Sequence, residues 1–158
     1  MKKGAIVFFI IFLVGLDQLS KFFISSHLSL GESLNVFPFL NFTLIHNTGI
    51  AFSIFEEGGE FSRWLLVASV AGILAYLVFL LYKKTPKHQV ELISLLLIIS
   101  GGLGNLIDRL LLGYVVDFVH AFYQHYSFYV FNMADSYITL GIIFYLGYFF
   151  FIERIKET

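Results

Sequence analysis

Residues 90–112 of the chain read VELISLLLIISGGLGNLIDRLLL, and this stretch decides the fold. Its apolar run is long enough to cross the hydrocarbon core of a bilayer, which takes about 20 mostly apolar residues in a helix. Three further stretches meet the same criterion: residues 4–24, 64–82 and about 136–152. The pattern therefore predicts four transmembrane helices, and both prolines of the chain lie outside them.

The overall composition agrees with a membrane protein. Of the 158 residues, 58% are hydrophobic and 13% are charged, which gives more apolar surface than a water-soluble domain of this length buries. The lack of cysteine excludes disulfides, thiolate zinc sites and cysteine nucleophiles. A net charge of −1 gives no basis for binding nucleic acid. No internal repeat or linker divides the sequence, so we expect one domain, residues 1–158.

Basic residues are distributed unequally between the two sides of the predicted spans. Seven of the ten Lys and Arg residues flank one side: Lys2, Lys3, Lys83, Lys84, Lys87, Arg154 and Lys156. The positive-inside rule places that side in the cytoplasm. Both termini are then cytoplasmic, while residues 25–63 (loop one) and 113–135 face outward. The Lys-Lys start also fits a cleaved signal peptide, but a small-residue cleavage site is missing, and Asp17 and Lys21 interrupt the run.

Loop one has the composition of extended chain rather than helix. Its segment LNVFPFLNFTLIHNTGIAFSIF, residues 34–55, is rich in β-branched and aromatic residues and is interrupted by Pro38 and Gly49. We expect a few short strands here, at the level of the lipid headgroups, and an exposed turn over residues 56–60. The predicted fold class is an all-α integral membrane protein with four transmembrane helices and a small β-rich extracytoplasmic region between helices 1 and 2.

Ionisable residues inside the spans mark a functional region, because a charge in hydrocarbon costs at least ~2.5 kcal/mol. Asp17 and Lys21 are four residues apart, which favours an ion pair that supports the first span. In the third span, Asn105, Asp108 and Arg109 share one face, beside glycines that favour close helix packing. The adjacent Arg109 is expected to hold Asp108 ionised, so we interpret this pair as scaffold.

Two further aspartates flank the last loop. Asp117 follows the third span and Asp135 opens the fourth, so closing this hairpin brings two carboxylates to the same depth. At close range, repulsion keeps one carboxyl protonated while the other is ionised, and this supplies the acid and base that cleavage of an amide by water requires. Simpler roles stay open: Asp135 as the N-cap of the fourth helix and Asp117 as an interfacial loop residue. Asn132 is spaced to orient a carboxylate or to bind substrate.

Five motifs, in this order, resemble those of the bacterial lipoprotein signal peptidase family, also called signal peptidase II or prolipoprotein signal peptidase. They are DQLSK at 17–21, NTGIAF at 47–52, GGLGNLIDR at 101–109, VVDF at 115–118 and FNMADS at 131–136. The resemblance extends over nearly the whole chain. It implies an intramembrane aspartic endopeptidase that cleaves diacylglyceryl-modified prolipoproteins just before the lipidated cysteine, with no metal and no other cofactor.

The resemblance also implies roles for individual residues. Asp117 and Asp135 are the implied catalytic pair, with Asp108 as an alternative member. The implied substrate-binding residues are Asn47, Gly49, Asn105, Arg109 and Asn132, and the implied structural residues are Asp17, Lys21 and Asp108. Expected partners are prolipoprotein substrates, membrane lipid and globomycin-type inhibitors. We expect a monomer in the bacterial cytoplasmic (inner) membrane, with the active site near its outer face and loop one covering the lipidated cysteine.

Other chemistries fit the sequence less well. Ser20 and Lys21 are adjacent and point to different helix faces, which argues against a serine–lysine dyad. His120 and His125 lack the spacing of a zinc-binding helix motif and are interpreted as interfacial loop residues. A proton-coupled transporter or channel needs acids distributed through the membrane depth, whereas all four aspartates map to the outer ends of the spans. A non-catalytic lipid-binding scaffold is the remaining alternative, and it predicts that replacing either catalytic candidate has no effect.

Overall fold

The structure is a computed structural model that describes residues 3–49, 59–83, 86 and 88–153. The helices are α1, Lys3–His27; α2, Gly59–Lys83; α3, Gln89–Leu111; and α4, Met133–Tyr148, which continues into a π-helical turn, Phe149–Glu153. The strands are β1, Ser33–Phe37; β2, Leu40–Asn47; β3, Val115–Tyr123; and β4, Tyr126–Ser127.

All four predicted spans are helices long and apolar enough to cross a membrane. The helical segments that meet both criteria are Lys3–His27, Arg63–Lys83, Gln89–Leu111 and Met133–Ile152. Large apolar side chains on the outside of α1 are exposed, among them Phe8, Phe22 and Phe23. A continuous apolar surface of this kind is suited to contact with lipid.

Helix α3 lies at the centre of the bundle. Half of its apolar span is buried, against 11% for each of the other three spans. It contacts α1, α2 and α4. The polar residues that the sequence places on α3 are therefore surrounded by protein and shielded from lipid.

Glycines of α3 allow its neighbours to approach closely, as their packing interpretation predicts. A Cβ atom built at Gly102 would lie 2.6 Å from the side chain of Leu74 in α2. One built at Gly104 would lie 2.5 Å from the carboxylate of Asp17 in α1. One built at Gly101 would overlap the backbone of α4. Each of these glycines thus serves the contact with a different helix.

The strands form one antiparallel sheet in the order β1-β2-β3-β4. The prediction that β structure is confined to the region between the first two helices is wrong, because β3 and β4 lie between α3 and α4. The sequence of β3, VVDFVHAFY, is apolar on both of its faces and lacks the alternation that marks a strand. Its partner β2 is separated from it in the chain by two helices, so their pairing is not visible in the sequence.

The expected turn before α2 is partly wrong. Helix α2 begins at Gly59, so Gly59 and Glu60 are helical. Residues 56–58 lie outside the described part of the chain, as do residues 50–52 of the NTGIAF motif. Five of the seven basic residues that predict the topology also lie outside it: Lys2, Lys84, Lys87, Arg154 and Lys156.

The two faces of the sheet have different neighbours. Successive side chains of a strand point to opposite faces. One face carries Leu44 and Val116, which pack with Ile24 of α1 in a buried apolar cluster. The other face carries Asn47 and Asp117, which are hydrogen-bonded to each other. The sheet therefore presents Asp117 away from its own apolar cluster.

Candidate active site

The N-terminus of α4 fixes Asn132 and Asp135 against each other. Asn132 is the N-cap, and its Oδ1 accepts a hydrogen bond from the backbone N–H of Asp135 at 2.9 Å. In return, Oδ2 of Asp135 accepts from the backbone N–H of Asn132 at 3.2 Å. This reciprocal arrangement is a capping box. Asp135 is therefore the third residue of the helix, and the alternative that it is the N-cap itself is wrong.

Asn132 also contacts the second carboxylate. Its amide nitrogen donates to Oδ1 of Asp117 at 2.6 Å, and Oδ2 of Asp117 accepts from the amide of Asn47 at 2.8 Å. The remaining oxygen of Asp135, Oδ1, accepts from the amide of Asn105 at 2.8 Å. The two carboxylates thus converge on one residue, Asn132, which binds Asp117 through its side-chain amide and Asp135 through its backbone N–H, and neutral donors hold both of them.

The two carboxyl groups differ in their environment. Asp117 is 2% exposed, whereas Asp135 is half-buried. Burial raises the pKa of Asp117 from its ordinary 3.8 to about 6. The hydrogen bond from Asn47 opposes this rise because it favours the ionised form, and the charge of Asp135 adds to it. Asp117 lies in a buried strand, so its interpretation as an interfacial loop residue is wrong.

Asp17, Lys21 and Asp108 form a charged network next to Asp117 and Asp135, which we call the amide-held pair. Lys21 is 3% exposed, and its ammonium nitrogen is 2.8 Å from Oδ2 of Asp17 and 2.9 Å from Oδ2 of Asp108. The predicted ion pair of Asp17 and Lys21 is confirmed. Lys21 also donates to Oδ1 of Asn105 at 3.0 Å. Asn105 is therefore the junction between the charged network and the amide-held pair.

Both acids of the charged network also bind backbone N–H groups. Oδ1 of Asp17 accepts from the N–H of Ala134 at 2.9 Å, in the first turn of α4. Oδ2 of Asp108 accepts from the N–H of Val116 at 3.1 Å, on β3. Each of these N–H groups is one residue away from one carboxylate of the amide-held pair. The charged network thus fixes the two segments that carry the candidate site.

The prediction that Arg109 is the cation paired with Asp108 is wrong. Among the described residues its ion-pair partner is Lys21, because neighbouring residues of a helix, such as Asp108 and Arg109, project to different sides. Arg109 is half-buried, and its Nη1 donates to the backbone oxygen of Asn105 at 3.4 Å. Its Nε is buried without a hydrogen-bond partner in the described part of the chain.

Gly49 connects loop one to this site. Its φ of +81° lies in the left-handed region that favours glycine. A Cβ atom there would lie 2.9 Å from Leu66 of α2 and 4.0 Å from the guanidinium of Arg109. The N–H of Gly49 donates to Oδ1 of Asn47 at 2.8 Å, and this contact leaves the amide nitrogen of Asn47 directed at Asp117. The left-handed backbone conformation therefore favours glycine at this position.

Two residues near the charged network, Gln18 and Arg63, were not predicted from the sequence to have a role. Gln18 donates to Oδ1 of Asp108 at 2.8 Å and to the carbonyl oxygen of Gly104 at 3.1 Å. It belongs to the quoted DQLSK motif, which is the signal that points to it. Arg63 donates to two carbonyl oxygens in the last turn of α3, at 3.1 and 3.0 Å. Arg63 lies outside every motif, and nothing in the sequence indicates this contact.

The rival chemistries find little support in the geometry. The hydroxyl of Ser20 donates to the backbone oxygen of Asp17 at 2.7 Å, while Lys21 binds two carboxylates, so these two residues do not form a nucleophilic dyad. His120 lies in β3, and its Nε2 is 2.7 Å from the hydroxyl of Ser127. The four aspartates belong to one connected cluster rather than to a series through the membrane depth, which is unlike a proton relay.

The fold and the site together define a class: a multi-pass membrane protein with paired carboxylates at one end of its helical bundle. The family model described as Signal peptidase (SPase) II matches residues 9–151. The chain therefore belongs to the signal peptidase II family, a family of proteases, and the resemblance drawn from the five motifs is confirmed.

Individual relatives are similar over most of the chain. The lipoprotein signal peptidase of Acinetobacter baumannii is 46% identical over 140 residues, which cover 88% of this chain and 79% of that protein. The lipoprotein signal peptidase of Streptococcus pyogenes serotype M6 is 44% identical over 144 residues, which cover 90% and 91%. A solved structure of a bacterial membrane enzyme, obtained by the in meso method at 1.9 Å resolution, is 31% identical over 96% of both chains, with a TM-score of 0.84.

Proposed function

We propose that this chain is an intramembrane aspartic endopeptidase that removes the signal peptide of diacylglyceryl-modified prolipoproteins by cleaving just before the lipidated cysteine. Membership of the signal peptidase II family supports the substrate class, because relatives of 46% and 44% identity are lipoprotein signal peptidases. The observation that carries the aspartic mechanism is the convergence of Asp117 and Asp135 on Asn132.

In this mechanism the two carboxyl groups divide the proton transfers. Asp135, the more accessible, accepts a proton from the attacking water. Asp117 donates a proton to the oxygen of the scissile carbonyl as that carbon becomes tetrahedral. Asp117 suits the protonated role because burial raises its pKa to about 6. The surrounding asparagine amides orient both groups without neutralising either one.

Substrate contacts fall to residues around the pair. We assign them to Asn47, Gly49, Asn105, Arg109 and Asn132. Arg109 has a buried Nε with no partner in the described part of the chain, and this donor suits a carbonyl oxygen of the bound peptide. Asp17, Lys21 and Asp108 do not contact substrate in this mechanism. They hold the backbone segments that carry Asp117 and Asp135, and Lys21 also holds Asn105.

The cellular setting is part of the proposal. We assign the chain, as a single domain and a monomer, to the bacterial cytoplasmic (inner) membrane, with both termini in the cytoplasm and the sheet near the outer face. The ammonium of Lys3, at the start of α1, lies 5.5 Å from the ring centre of Tyr82, at the end of α2, so these basic ends share one side. Membrane lipid and globomycin-type inhibitors are the further expected ligands, and loop one is expected to cover the lipidated cysteine.

Purified protein and a diacylglyceryl-modified prolipoprotein test the mechanism. Asp117→Asn and Asp135→Asn should each lower turnover by at least ~10²–10⁴-fold, the usual contribution of a general acid or base, with thermal unfolding and circular dichroism unchanged. Glu32→Gln is the matched control, because Glu32 is an exposed carboxylate whose partner is the backbone N–H of Ser29. Parental turnover in either asparagine variant would refute the dyad. A folded, inactive Asp108→Asn beside an active Asp117→Asn would transfer the role to Asp108.

A further inference from the structure

A cavity of about 530 Å³ lies on the face of the sheet opposite to Asp117. Leu44 and Val116 of the sheet line it, together with residues of α1, α3 and the segment after α1. Neither aspartate of the proposed catalytic pair contributes to its lining. Its volume is within the usual range for a small-molecule site. It is therefore a separate cavity, which the proposed reaction does not use.

The floor of this cavity has few free polar groups. It is formed by Gln18, Lys21 and Asp108. These three side chains bond to one another and to backbone groups around them. The walls are mainly hydrocarbon, from leucines and from Phe22 and Tyr114. A ligand with a long apolar part suits such a cavity, because the floor offers no unpaired charge to a polar one.

The mouth of the cavity opens on the side that faces lipid. Phe22 and Leu111 stand at its rim and are 73% and 76% exposed, and both lie on membrane-spanning helices. Gln18, Phe22 and Ser25 follow one another at helical spacing, so they share one face of α1. This face runs from inside the span toward the end of α1 nearest the sheet.

Ser25 carries a free hydroxyl beside the cavity. Other serines of the described helices, Ser20, Ser26, Ser69, Ser94, Ser100 and Ser136, donate their hydroxyl to a backbone oxygen one turn earlier. Ser25 lines the cavity and has no hydrogen-bond partner within the residues that the structure describes. Ser25 lies two residues before the end of α1, and the ends of a spanning helix reach the interfacial region of a bilayer. An ester carbonyl is an acceptor that this hydroxyl would satisfy.

We propose that this cavity binds one acyl chain of a membrane phospholipid, with the chain along the α1 face and its ester carbonyl on the Ser25 hydroxyl. The source is a free phospholipid because the mouth adjoins the lipid-facing surface of α1 and α3. An acyl chain of a bound prolipoprotein, whose scissile bond would lie at Asp117, would have to pass around the sheet to reach this cavity.

Photolabelling of the full chain tests this site. The protein is reconstituted in phosphatidylethanolamine–phosphatidylglycerol vesicles that contain a phosphatidylglycerol with a diazirine in one acyl chain, and labelled peptides are mapped by mass spectrometry. Label should concentrate in residues 18–30 and 111–116. Ser25→Trp fills the cavity and should cause a several-fold loss of this label. Ser26→Trp is the matched control at the adjacent position, which is exposed like Ser25 but does not line the cavity, and it should label like the parent.

Three outcomes would overturn the proposal. The first is label spread evenly over the lipid-facing surfaces, and the second is equal label in the two tryptophan variants. The third is displacement of the label by diacylglyceryl-modified prolipoprotein, which would assign the cavity to substrate lipid. Ser25→Ala keeps the cavity and removes the hydroxyl, so a smaller loss is expected, and unchanged label would refute the ester contact. Labelling needs no turnover, so this test fails or succeeds independently of the protease assignment.

Discussion

The chain holds its four aspartates as two pairs, and the two pairs are stabilised in different ways. Asp17 and Asp108 share the ammonium of Lys21. Asp117 and Asp135 are held by asparagine amides, and no ion pair involves them within the described residues. The pairs are in contact through Asn105, whose oxygen accepts from Lys21 and whose nitrogen donates to Asp135.

This difference shows how one residue type serves two purposes in one site. The ammonium of Lys21 supplies a counter-charge to Asp17 and Asp108, and each of these carboxylates also accepts a hydrogen bond from a backbone N–H group. An amide orients a carboxylate without supplying charge, and at Asp117 burial raises the pKa to about 6. The neighbours, rather than the aspartates themselves, therefore separate the structural pair from the proposed catalytic pair.

The largest expected effect on stability comes from removing the shared ammonium. Lys21→Met keeps much of the side-chain volume and leaves Asp17 and Asp108 buried without a counter-charge. Breaking a buried ion pair in this way costs about 3–5 kcal/mol. We expect a loss of this size in the free energy of unfolding in detergent. Turnover should fall as well, because both segments that carry the amide-held pair lose their anchors.

Two further variants make this prediction specific. Lys83→Met removes a cation that lies over the ring of Phe79 at the end of α2, and it should change stability little. Adding Asp17→Asn and Asp108→Asn to Lys21→Met removes the unpaired charges and should recover much of the lost stability. Equal stability in Lys21→Met and Lys83→Met would show that the ammonium is not structural.

The helices were predictable from the sequence, and so were most of the polar residues that the structure brings together. The spans follow from apolar length alone, and the Asp17–Lys21 pair follows from helical spacing. Asn132 and Asp135 were named as site residues, but their capping box depends on where α4 begins, and helix ends are poorly defined by sequence. The polar face of α3 was predicted, whereas the residue that each polar group contacts was not.

Contacts between distant segments of the chain were not predicted. Lys21 and Asp108 come from different helices. The sequence around Asp108 does not show that its cation is Lys21 rather than Arg109, the next residue in the chain. The pairing of β2 with β3 was missed for the same reason, because two helices separate them in the chain. The sequence indicates which residues are polar and which of them share a helix face. The packing of α1 against α3 then determines which of these residues are in contact.

Two variants of Asn132 separate its role as the N-cap of α4 from its contact with Asp117, and their expected effects on stability are smaller. Asn132→Ala removes both the N-cap and the side-chain amide, whereas Asn132→Ser keeps a good N-cap and removes only the amide, which donates to Asp117, Asn105 and the carbonyl oxygen of Val116. Both variants lose the buried amide, so we expect Asn132→Ala to be less stable than Asn132→Ser by about 1 kcal/mol, the usual contribution of an N-cap. Turnover should fall in both, because Asp117 loses its contact at 2.6 Å. Chemical unfolding and turnover on the same preparations measure this, and parental turnover in the serine variant would contradict an orienting role.

The smallest expected effect is a shift in pH dependence caused by Asn47. Its amide donates to Asp117 at 2.8 Å and favours the ionised form, so Asn47→Leu should raise the pKa of Asp117 above its value of about 6. If Asp117 is the acid, activity falls as pH rises through this pKa. The alkaline limb of kcat/KM should then move upward by about one pH unit.

The same measurement also decides which carboxyl carries the proton. If Asp117 were instead the base, activity would rise with pH through its pKa, and the acid limb would be the one to move upward. Asn41→Leu is the matched control, because Asn41 lies on the same strand and bonds to Asn35 rather than to Asp117, so both limbs should stay in place. A shift of the acid limb in Asn47→Leu would reverse the two proton-transfer roles and leave the dyad intact, whereas no shift in either limb would exclude Asp117 as the titrating group.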